Sequence, residues 1–512
     1  MCCPRSDEPP TESTLDHTLS GRPSLLVRHA GLIYPCAMRN EEPILDAWLR
    51  IDGQRITALG PEPCPYSAAE VEVDGRGKVL IPGLVNVHHH FWQSLTRAVP
   101  LGRSEWSLGW LRSMYPLWQE LDAAAMHAGV QLAAAELLLT GATTSVDFAY
   151  LYPDGRGDLL DVEVAAARAL GLRLHVVRGC TPILESDIAA HLASIPGIDA
   201  IRLTESRGEI VAACERAVGR YHDTAPLAMC RVALGPTAIP FHDADLLKAL
   251  LRISEDTGCG RHAHLQPRPD EVRRCHELHH CGPTEFLRRI GWLGRGSWLA
   301  HATMHTEEDV RVLAETGSGV AHCMSQNMRL GYPAGPIPAM LAAGVPVGIG
   351  VDGAASNDGG SMLGELRLVH LVHRLAGVQP EYPPERWLTP HDVLWMATRQ
   401  GAAILGRDDI GRLAPGSAAD AVLIDLRQVG YAGGLHDPLG TLVMAGDCSV
   451  VDTTIVNGAI VVRDGRLTRV SQARVVEDAN RMSAAMVRRA TARTGLTFGS
   501  SAPRLAGLLG HA

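Results

Sequence analysis

Two histidines, His88 and His90, close a short apolar stretch and can bind one metal ion. Residues 84–87 are apolar and follow a Pro-Gly pair, a pattern typical of a buried parallel strand. Alternate side chains of a strand share a face, so His88 and His90 can point at one ion while His89 points the other way. A chance run of histidines is the alternative, because 23 of the 512 residues are histidine.

Other polar residues occupy the ends of later predicted strands. Neutral histidine and anionic aspartate are common ligands of divalent ions, so His264 and Asp352 can complete a four-ligand site with His88 and His90. An ion there would lower the pKa of a water molecule toward about 7. We expect Asp352 to take the proton of that water and His301 to hydrogen-bond the oxygen that gains charge. The strand-end residues are His88, His90, Asp147, Arg178, His264, His301, His322 and Asp352.

The elements that must position these residues alternate between strand and helix over residues 82–410. Roughly eight such units favour a (β/α)8 barrel of the TIM type over a doubly wound sheet. Residues 24–81 and 411–466 instead show short apolar runs separated by tight turns. Because chain ends often lie close together, we expect one small β-sandwich domain built from both segments. Residues 1–23 are predicted to be a disordered leader, and residues 467–512 a C-terminal helix and tail.

Composition excludes several classes of function. The net charge is −9 and the chain has no basic stripe, so nucleic-acid binding is not expected. No apolar run approaches the ~20 residues of a membrane helix. Twelve cysteines scattered through 512 residues indicate reduced thiols and a cytoplasmic location. We therefore expect a small molecule as substrate, no nucleic-acid or membrane partner, and a homo-oligomer.

Several motifs, taken in order, resemble those of a known family. They are residues 82–90, His262-Ala263-His264, Ala300-His301, His322-Cys323 with Asn327, and residues 351–357. As an ordered set over about residues 25–465, they resemble the amidohydrolase superfamily. The branch that they resemble contains 8-oxoguanine, isoxanthopterin and guanine deaminases and the triazine hydrolases.

The resemblance implies roles for individual residues. His88, His90, His264 and Asp352 match the metal ligands, Asp352 also matches the proton-shuttling base, and His301 matches the strand-6 histidine. The cofactor implied is one divalent metal ion, Zn²⁺ first and Fe²⁺ as the alternative. A second ion would need a lysine at strand 4, and neither lysine of the chain lies there. Candidate substrate-binding residues are Gln93, Arg178, Gln266, His322 and Asn327.

One position departs from the family pattern. The deaminases have His-x-His-x-x-Glu at strand 5, whereas this chain has Pro267 at the acidic position. A proline cannot pass a proton to a ring nitrogen or to a departing amine. We expect Asp270, Glu271 or Glu277 to replace that carboxyl, or the substrate to have a better leaving group, or turnover to be lost.

Simpler interpretations compete for some residues. His322 is equally explained as a core histidine, Arg178 as the partner of a carboxylate, and Asp147 as a hydrogen-bonding residue at the barrel end. His276-Glu277-x-x-His280 matches a metalloprotease pattern, and the flanking Cys275 and Cys281 are typical of a structural metal site. The barrel constellation accounts for more residues in order, so we prefer it.

The predicted function is metal-dependent hydrolysis of a C–N bond in a nitrogen heterocycle, most simply deamination of a purine- or pterin-like ring. Ring-amide opening or hydrolysis with another leaving group is the second hypothesis. A catalytically silent homologue that binds a metal or a ligand is the third.

Overall fold

A computed structural model describes residues 23–156, 158–239, 242–266, 268–375, 383–446 and 450–499. The predicted leader lies almost entirely outside these residues, and so does Pro267. No helix among these ranges has both the length and the apolar character needed to cross a bilayer.

Seventeen strands form two sheets within the described ranges. They are β1 (Leu25–Ile33), β2 (Ile44–Asp52), β3 (Arg55–Pro61), β4 (Val71–Asp74), β5 (Lys78–Pro82), β6 (Leu84–Asn86), β7 (Ala142–Ala149), β8 (Arg173–Cys180), β9 (Cys230–Pro236), β10 (Gly260–Leu265), β11 (Ser297–His301), β12 (Gly319–His322), β13 (Val347–Ile349), β14 (Ala421–Asp425), β15 (Thr453–Val456), β16 (Ala459–Arg463) and β17 (Arg466–Leu467).

Most of the helices lie between barrel strands. They are α1 (Pro100–Arg103), α2 (Ser107–Trp118), α3 (Ala123–Leu139), α4 (Leu159–Leu170), α5 (Ser186–Ala193), α6 (Arg207–Tyr221), α7 (Ala244–Thr257), α8 (Pro269–His279), α9 (Pro283–Arg289), α10 (Glu307–Thr316), α11 (Met324–Arg329), α12 (Ile337–Ala342), α13 (Met362–Val372), α14 (Pro390–Trp395), α15 (Gly401–Ile404), α16 (Pro438–Ala445) and α17 (Gln472–Thr494). Short 3₁₀ turns are Phe91–Thr96, Pro153–Gly155, Ala200–Leu203, Pro384–Arg386 and Val429–Tyr431, and Met396–Gln400 is a π-helical segment.

The barrel consists of β6 to β13 in sequence order, each parallel to the next. Its two end strands meet where the backbone N–H of Val87 donates to the carbonyl of Ile349, 3.0 Å away. β7 and β8 are buried along their whole length, since helices cover the outside and side chains fill the inside. The predicted (β/α)8 barrel is therefore confirmed.

The second sheet contains strands from both ends of the chain. Its order is β17-β16-β15-β14-β5-β1-β2-β3, with β4 paired to β1. β14 runs antiparallel to β5, so Ala421 lies opposite Pro82 and Asp425 opposite Lys78. The sheet has its own apolar core, to which Leu49 and Leu423 both contribute. A separate sheet of strands from both chain ends was expected from the sequence and is confirmed.

Candidate metal centre and active-site cavity

The four predicted metal ligands meet at the C-terminal mouth of the barrel. His90 Nε2 lies 3.1 Å from His264 Nε2. Asp352 Oδ1 lies 3.4 Å from His88 Nε2 and 3.3 Å from His90 Nε2. Ligands about 2.0–2.1 Å from a tetrahedral ion are separated by about 3.3 Å, so this spacing matches one shared ion.

Backbone carbonyls fix which nitrogen of each histidine carries the proton. A carbonyl can only accept, so His90 Nδ1–H donates to Phe148 O at 2.7 Å, and His264 Nδ1–H donates to Thr237 O at 2.7 Å. Both Nε2 atoms then present lone pairs to each other across 3.1 Å. Two facing lone pairs at this distance repel, and a cation between them removes the repulsion.

His88 is oriented through a second histidine that sequence reasoning left without a role. His262 Nδ1–H donates to Trp298 O at 2.9 Å, which leaves its Nε2 to accept from His88 Nδ1–H at 2.8 Å. His88 Nε2 is buried and has no hydrogen-bond partner among the described residues. The alternation of β10 places His262 and His264 on one face, and this signal was present in the His-x-His spacing.

The charge states in the cluster suit a divalent ion. Burial lowers the pKa of His90 to about 4, and burial with the nearby histidines holds the pKa of His264 well below its ordinary value. Burial alone would raise the pKa of Asp352, but its close contact with His88, supported by His90 and His301, holds it well below its ordinary value. Neutral imidazoles with an anionic carboxylate are the donor set that Zn²⁺ prefers.

Two side chains are placed by unusual backbone conformations. His301 has φ +79° and Asp352 has φ +61°, values that cost non-glycine residues about 1–3 kcal/mol. The His301 ring stacks on His264 with centroids 5.5 Å apart, and its Nδ1 has no partner among the described residues. Ligand atoms of His88, His264 and His301 lie within 4.8 Å of one another, as do those of His88, His90 and Asp352.

A cavity of about 880 Å³ opens above the cluster. Gln93 Nε2 donates to Tyr150 Oη at 3.2 Å. Among the described residues, the buried Oε1 atoms of Gln93 and Gln266 have no hydrogen-bond partner. These amide oxygens can accept from the N–H groups of a bound heterocycle. The predicted residues that line the cavity are His90, Gln93, His264, Gln266, His301 and Asp352.

Three predicted substrate-binding residues do not line this cavity. Arg178 is buried in an ion pair with Glu205, and its guanidinium lies 3.8 Å from the centroid of the Tyr152 ring. His322 contacts His373, with their Nε2 atoms 3.3 Å apart, as a core histidine would. Asn327 is fully buried on α11, and its neighbour Gln326 lines the cavity instead.

Asp147 supports the backbone of the site. Its Oδ1 accepts from the backbone N–H of Phe91 at 2.8 Å, directly after His90. Burial raises the pKa of Asp147 to about 7, and burial together with Asp147 raises the pKa of Glu163 on α4 well above its ordinary value. This geometry agrees with the barrel-end role and places two interacting carboxyl groups beneath the site.

The metalloprotease-like stretch on α8 forms no ion site in the described part of the chain. The two clusters there that can hold an ion both lie in the barrel mouth. His276 and Glu277 are exposed, and His279 stacks on Phe286 with centroids 3.7 Å apart. All nine cysteines of the described ranges are free.

Of the three carboxylates predicted to replace the missing glutamate, only Glu271 lines the cavity. Two further charged residues line it that sequence reasoning did not select, Glu185 and Arg268. Glu185 precedes α5, in the segment after β8, and no motif marks it. Position 267 itself lies outside the described residues.

Comparisons with known proteins agree with this geometry. The model of the Amidohydrolase family matches residues 79–461. An 8-oxoguanine deaminase from Pseudomonas aeruginosa is 36% identical over 415 residues, covering 81% of this chain and 89% of that protein. Hydroxydechloroatrazine ethylaminohydrolase from Pseudomonas sp. strain ADP is 37% identical over 432 residues, covering 81% and 85%.

A solved structure extends the comparison to three dimensions. The atrazine chlorohydrolase from Arthrobacter aurescens TC1, crystallised with zinc, is 31% identical and superposes with a TM-score of 0.82. The match covers 90% of this chain and all of that one. The family resemblance seen in the ordered motifs is thereby confirmed.

Proposed function

The chain belongs to the amidohydrolase family of metal-dependent hydrolases, and from this premise we propose that it deaminates a purine- or pterin-like heterocycle with zinc as its ion. The observation that carries the proposal is the set of three imidazole lone pairs and one carboxylate at the base of the cavity. The unpartnered amide oxygens of Gln93 and Gln266 above it suit a ring that carries N–H groups.

His88, His90, His264 and Asp352 would hold the ion, and when bound it would act as a Lewis acid that makes water acidic near neutral pH. Asp352 then accepts a proton from the attacking water and passes it toward the departing nitrogen. His301 hydrogen-bonds the oxygen that gains negative charge at the substrate carbon. The residues that line the cavity orient the ring and limit the access of bulk water.

Pro267 favours a second candidate reaction at the same site. Without the usual glutamate, a leaving group that needs less protonation than ammonia is easier to expel. One relative carries a name of this kind, an atrazine chlorohydrolase, because chloride leaves without being protonated. Hydrolysis of a substituted triazine or of a ring amide is therefore the alternative within this family.

We propose zinc as the ion and a cytoplasmic location for the protein. Zinc is supported by the histidine-rich donor set and by the zinc complex of the similar chlorohydrolase, with Fe²⁺ as the alternative. The free cysteines of the described ranges agree with a cytoplasmic location. We also propose a homo-oligomer, which light scattering of the purified protein would test.

The test is a screen for ammonia release over aminopurines, aminopterins and aminotriazines, with the zinc-loaded protein. Release from a purine or pterin, lost in Asp352→Asn, supports deamination. Release of chloride from a chlorotriazine added to the screen, or a ring-opened product, supports the second reaction. Ligand-induced thermal stabilisation with no product from any of these compounds would contradict both.

A further inference from the structure

A compact charged cluster forms one wall of the cavity at the start of α8. The guanidinium of Arg268 lies 3.4 Å from Glu185, 2.9 Å from Asp270 and 3.4 Å from Glu271. The side chains of Arg268, Glu185 and Glu271 are 10%, 13% and 4% exposed. Three carboxylates thus share one cation, so full ionisation of the cluster leaves an excess of buried negative charge.

Two of the three carboxylates, Glu271 and Asp270, already accept short hydrogen bonds from Arg268. Glu271 accepts from the backbone N–H of Arg268 at 2.9 Å and so caps α8. Asp270 accepts from two nitrogens of Arg268, at 3.1 and 2.9 Å, and does not line the cavity.

Glu185 is the least constrained member. Both of its oxygens contact the same Arg268 nitrogen, at 3.5 and 3.4 Å, which is long for a charged pair. Although Glu185 precedes α5, its side chain makes no capping hydrogen bond. It lines the cavity together with His301 and Asp352.

The surroundings of Glu185 favour its protonated form near neutral pH. Burial raises the pKa of Glu185 to about 7; Arg268 opposes this rise, and Glu271 and Asp270 add to it. From α2, Tyr115 is the ionisable neighbour of Glu185, and Arg112 pairs with Asp187 on α5.

The cluster also faces the reaction centre. Glu185, Arg268 and Glu271 line the same cavity as His301 and Asp352. Arg268 follows directly after position 267, where the family glutamate is replaced by proline. One member of the cluster is therefore the next residue in the sequence after the position from which the usual acid is missing.

We propose that Glu185 is the general acid of this enzyme, taking the place of the absent strand-5 glutamate. The proposal rests on the proposed function. Glu185 gives its proton to a ring nitrogen while water adds to the neighbouring carbon and loses a proton to Asp352. Asp352 delivers that proton to the amine as the C–N bond breaks. The proton of the added hydroxyl returns to Glu185, so the products are a ring lactam and ammonia.

The activity test uses the zinc-loaded enzyme with its best substrate from the screen. Glu185→Gln should lower kcat by about 10²–10⁴-fold, and the wild-type fall of kcat above about pH 7 should disappear from the residual activity. The double variant Glu185→Gln with Pro267→Glu should have a kcat at least tenfold higher than that of Glu185→Gln alone. Glu277→Gln, an exposed helix variant, should match the wild type. A kcat for Glu185→Gln within twofold of the wild type would overturn the proposal.

A second measurement does not depend on turnover, so it separates this proposal from the proposed function. Infrared difference spectra of the holoenzyme between pH 6 and pH 8 report the C=O stretch of protonated carboxyl groups. Asp147 contributes to this absorbance in every variant. We expect a further component with a midpoint near pH 7 that is missing from Glu185→Gln but present in Glu277→Gln. Identical spectra for the wild type and Glu185→Gln would refute the assignment, even if the substrate screen had found no product.

Discussion

At the scale of single residues, the centre depends on hydrogen bonds made away from the ion. Carbonyls of Phe148, Thr237 and Trp298 fix the protons of His90, His264 and His262, and His262 in turn orients His88. Removing such an outer partner typically costs 10–100-fold in metal affinity, because the ligand ring is no longer held in one orientation.

We expect purified protein to hold about one divalent ion per chain, as a single catalytic site requires. His264→Ala should lose most of the metal, and His262→Ala should bind it about 10–100-fold more weakly while keeping the fold. His276→Ala, on the exposed face of α8, should keep full metal content. Elemental analysis and competition with a chelator measure these differences; full metal in His264→Ala would remove that ligand from the assignment.

The carboxyl pair Asp147 and Glu163 should make stability depend on pH. The folded protein holds extra protons between the ordinary carboxyl pKa of about 4 and the raised pKa of about 7 for Asp147, so stability falls as pH rises through this window. Each such proton lowers the free energy of unfolding by about 1.4 kcal/mol for every pH unit of this rise. Glu163→Gln should flatten the decline of Tm between pH 5 and pH 8.

The matched comparison for this pair is Glu215→Gln on α6, which changes a carboxyl outside the pair. Its Tm should follow the wild-type curve across the same pH range. Equal slopes for Glu163→Gln and the wild type would mean that the pair does not exchange protons on folding.

At the scale of elements, barrel strands position the ligands through very close backbone packing. A Cβ added at Gly235 on β9 would lie 1.8 Å from the carbonyl oxygen of His262 on β10. That oxygen belongs to the same strand as His264. Only glycine therefore permits the approach of β9 to β10 that aligns the strand-5 histidines.

Gly235→Ala should destabilise the protein by about 1–3 kcal/mol and weaken metal binding, because β10 must move to relieve the clash. Gly219→Ala on α6 is the control, since an added Cβ meets nothing within 4 Å there. It should be neutral or slightly stabilising, as alanine is favoured over glycine in helices. Urea unfolding with parallel zinc analysis distinguishes the two, and equal stability of both variants would contradict the packing argument.

The sequence predicts the ends of these strands well, because apolar runs, turn residues and a terminal polar residue coincide there: a histidine at β6, β10 and β11, and Asp352 after β13. The sequence does not predict which polar side chains of different elements form hydrogen bonds or ion pairs with each other. Arg178 lies near the end of β8, yet its charge is neutralised by Glu205, 27 residues later. Glu185 and Arg268 come together from loops 83 residues apart, and no local pattern records that contact.

At the scale of the whole molecule, we propose that residues 24–81 and 411–466 behave as one unit joined to the barrel. A fully buried ion pair joins this unit to the barrel. Arg173 on β8 donates through Nε and Nη2 to the two carboxylate oxygens of Asp420, each at 3.0 Å. Asp420 Oδ1 also accepts from the backbone N–H of Asn457 at 2.6 Å.

Asp420→Asn should destabilise the protein by about 3–5 kcal/mol, because it leaves the Arg173 charge buried without its counterion. Arg427→Gln is the matched control: its pair with Asp425 leaves the arginine side chain 62% exposed, so its Tm should stay close to that of the wild type. Thermal unfolding followed by near-UV circular dichroism compares them. Similar Tm values for the two variants would contradict a structural role for the buried pair.

The pairing of β5 with β14 has a consequence for how the protein is made. Pro82 leaves the ribosome 339 residues before its partner Ala421. At a translation rate of 5–20 residues per second, β5 at the inner edge of the N-terminal strands stays without its partner β14 for about 20–70 s. During translation this edge is open to pairing with other chains, so a nascent polypeptide stalled before residue 421 should be a preferred client of chaperones. The last strands synthesised therefore determine when the first ones stop being an aggregation hazard.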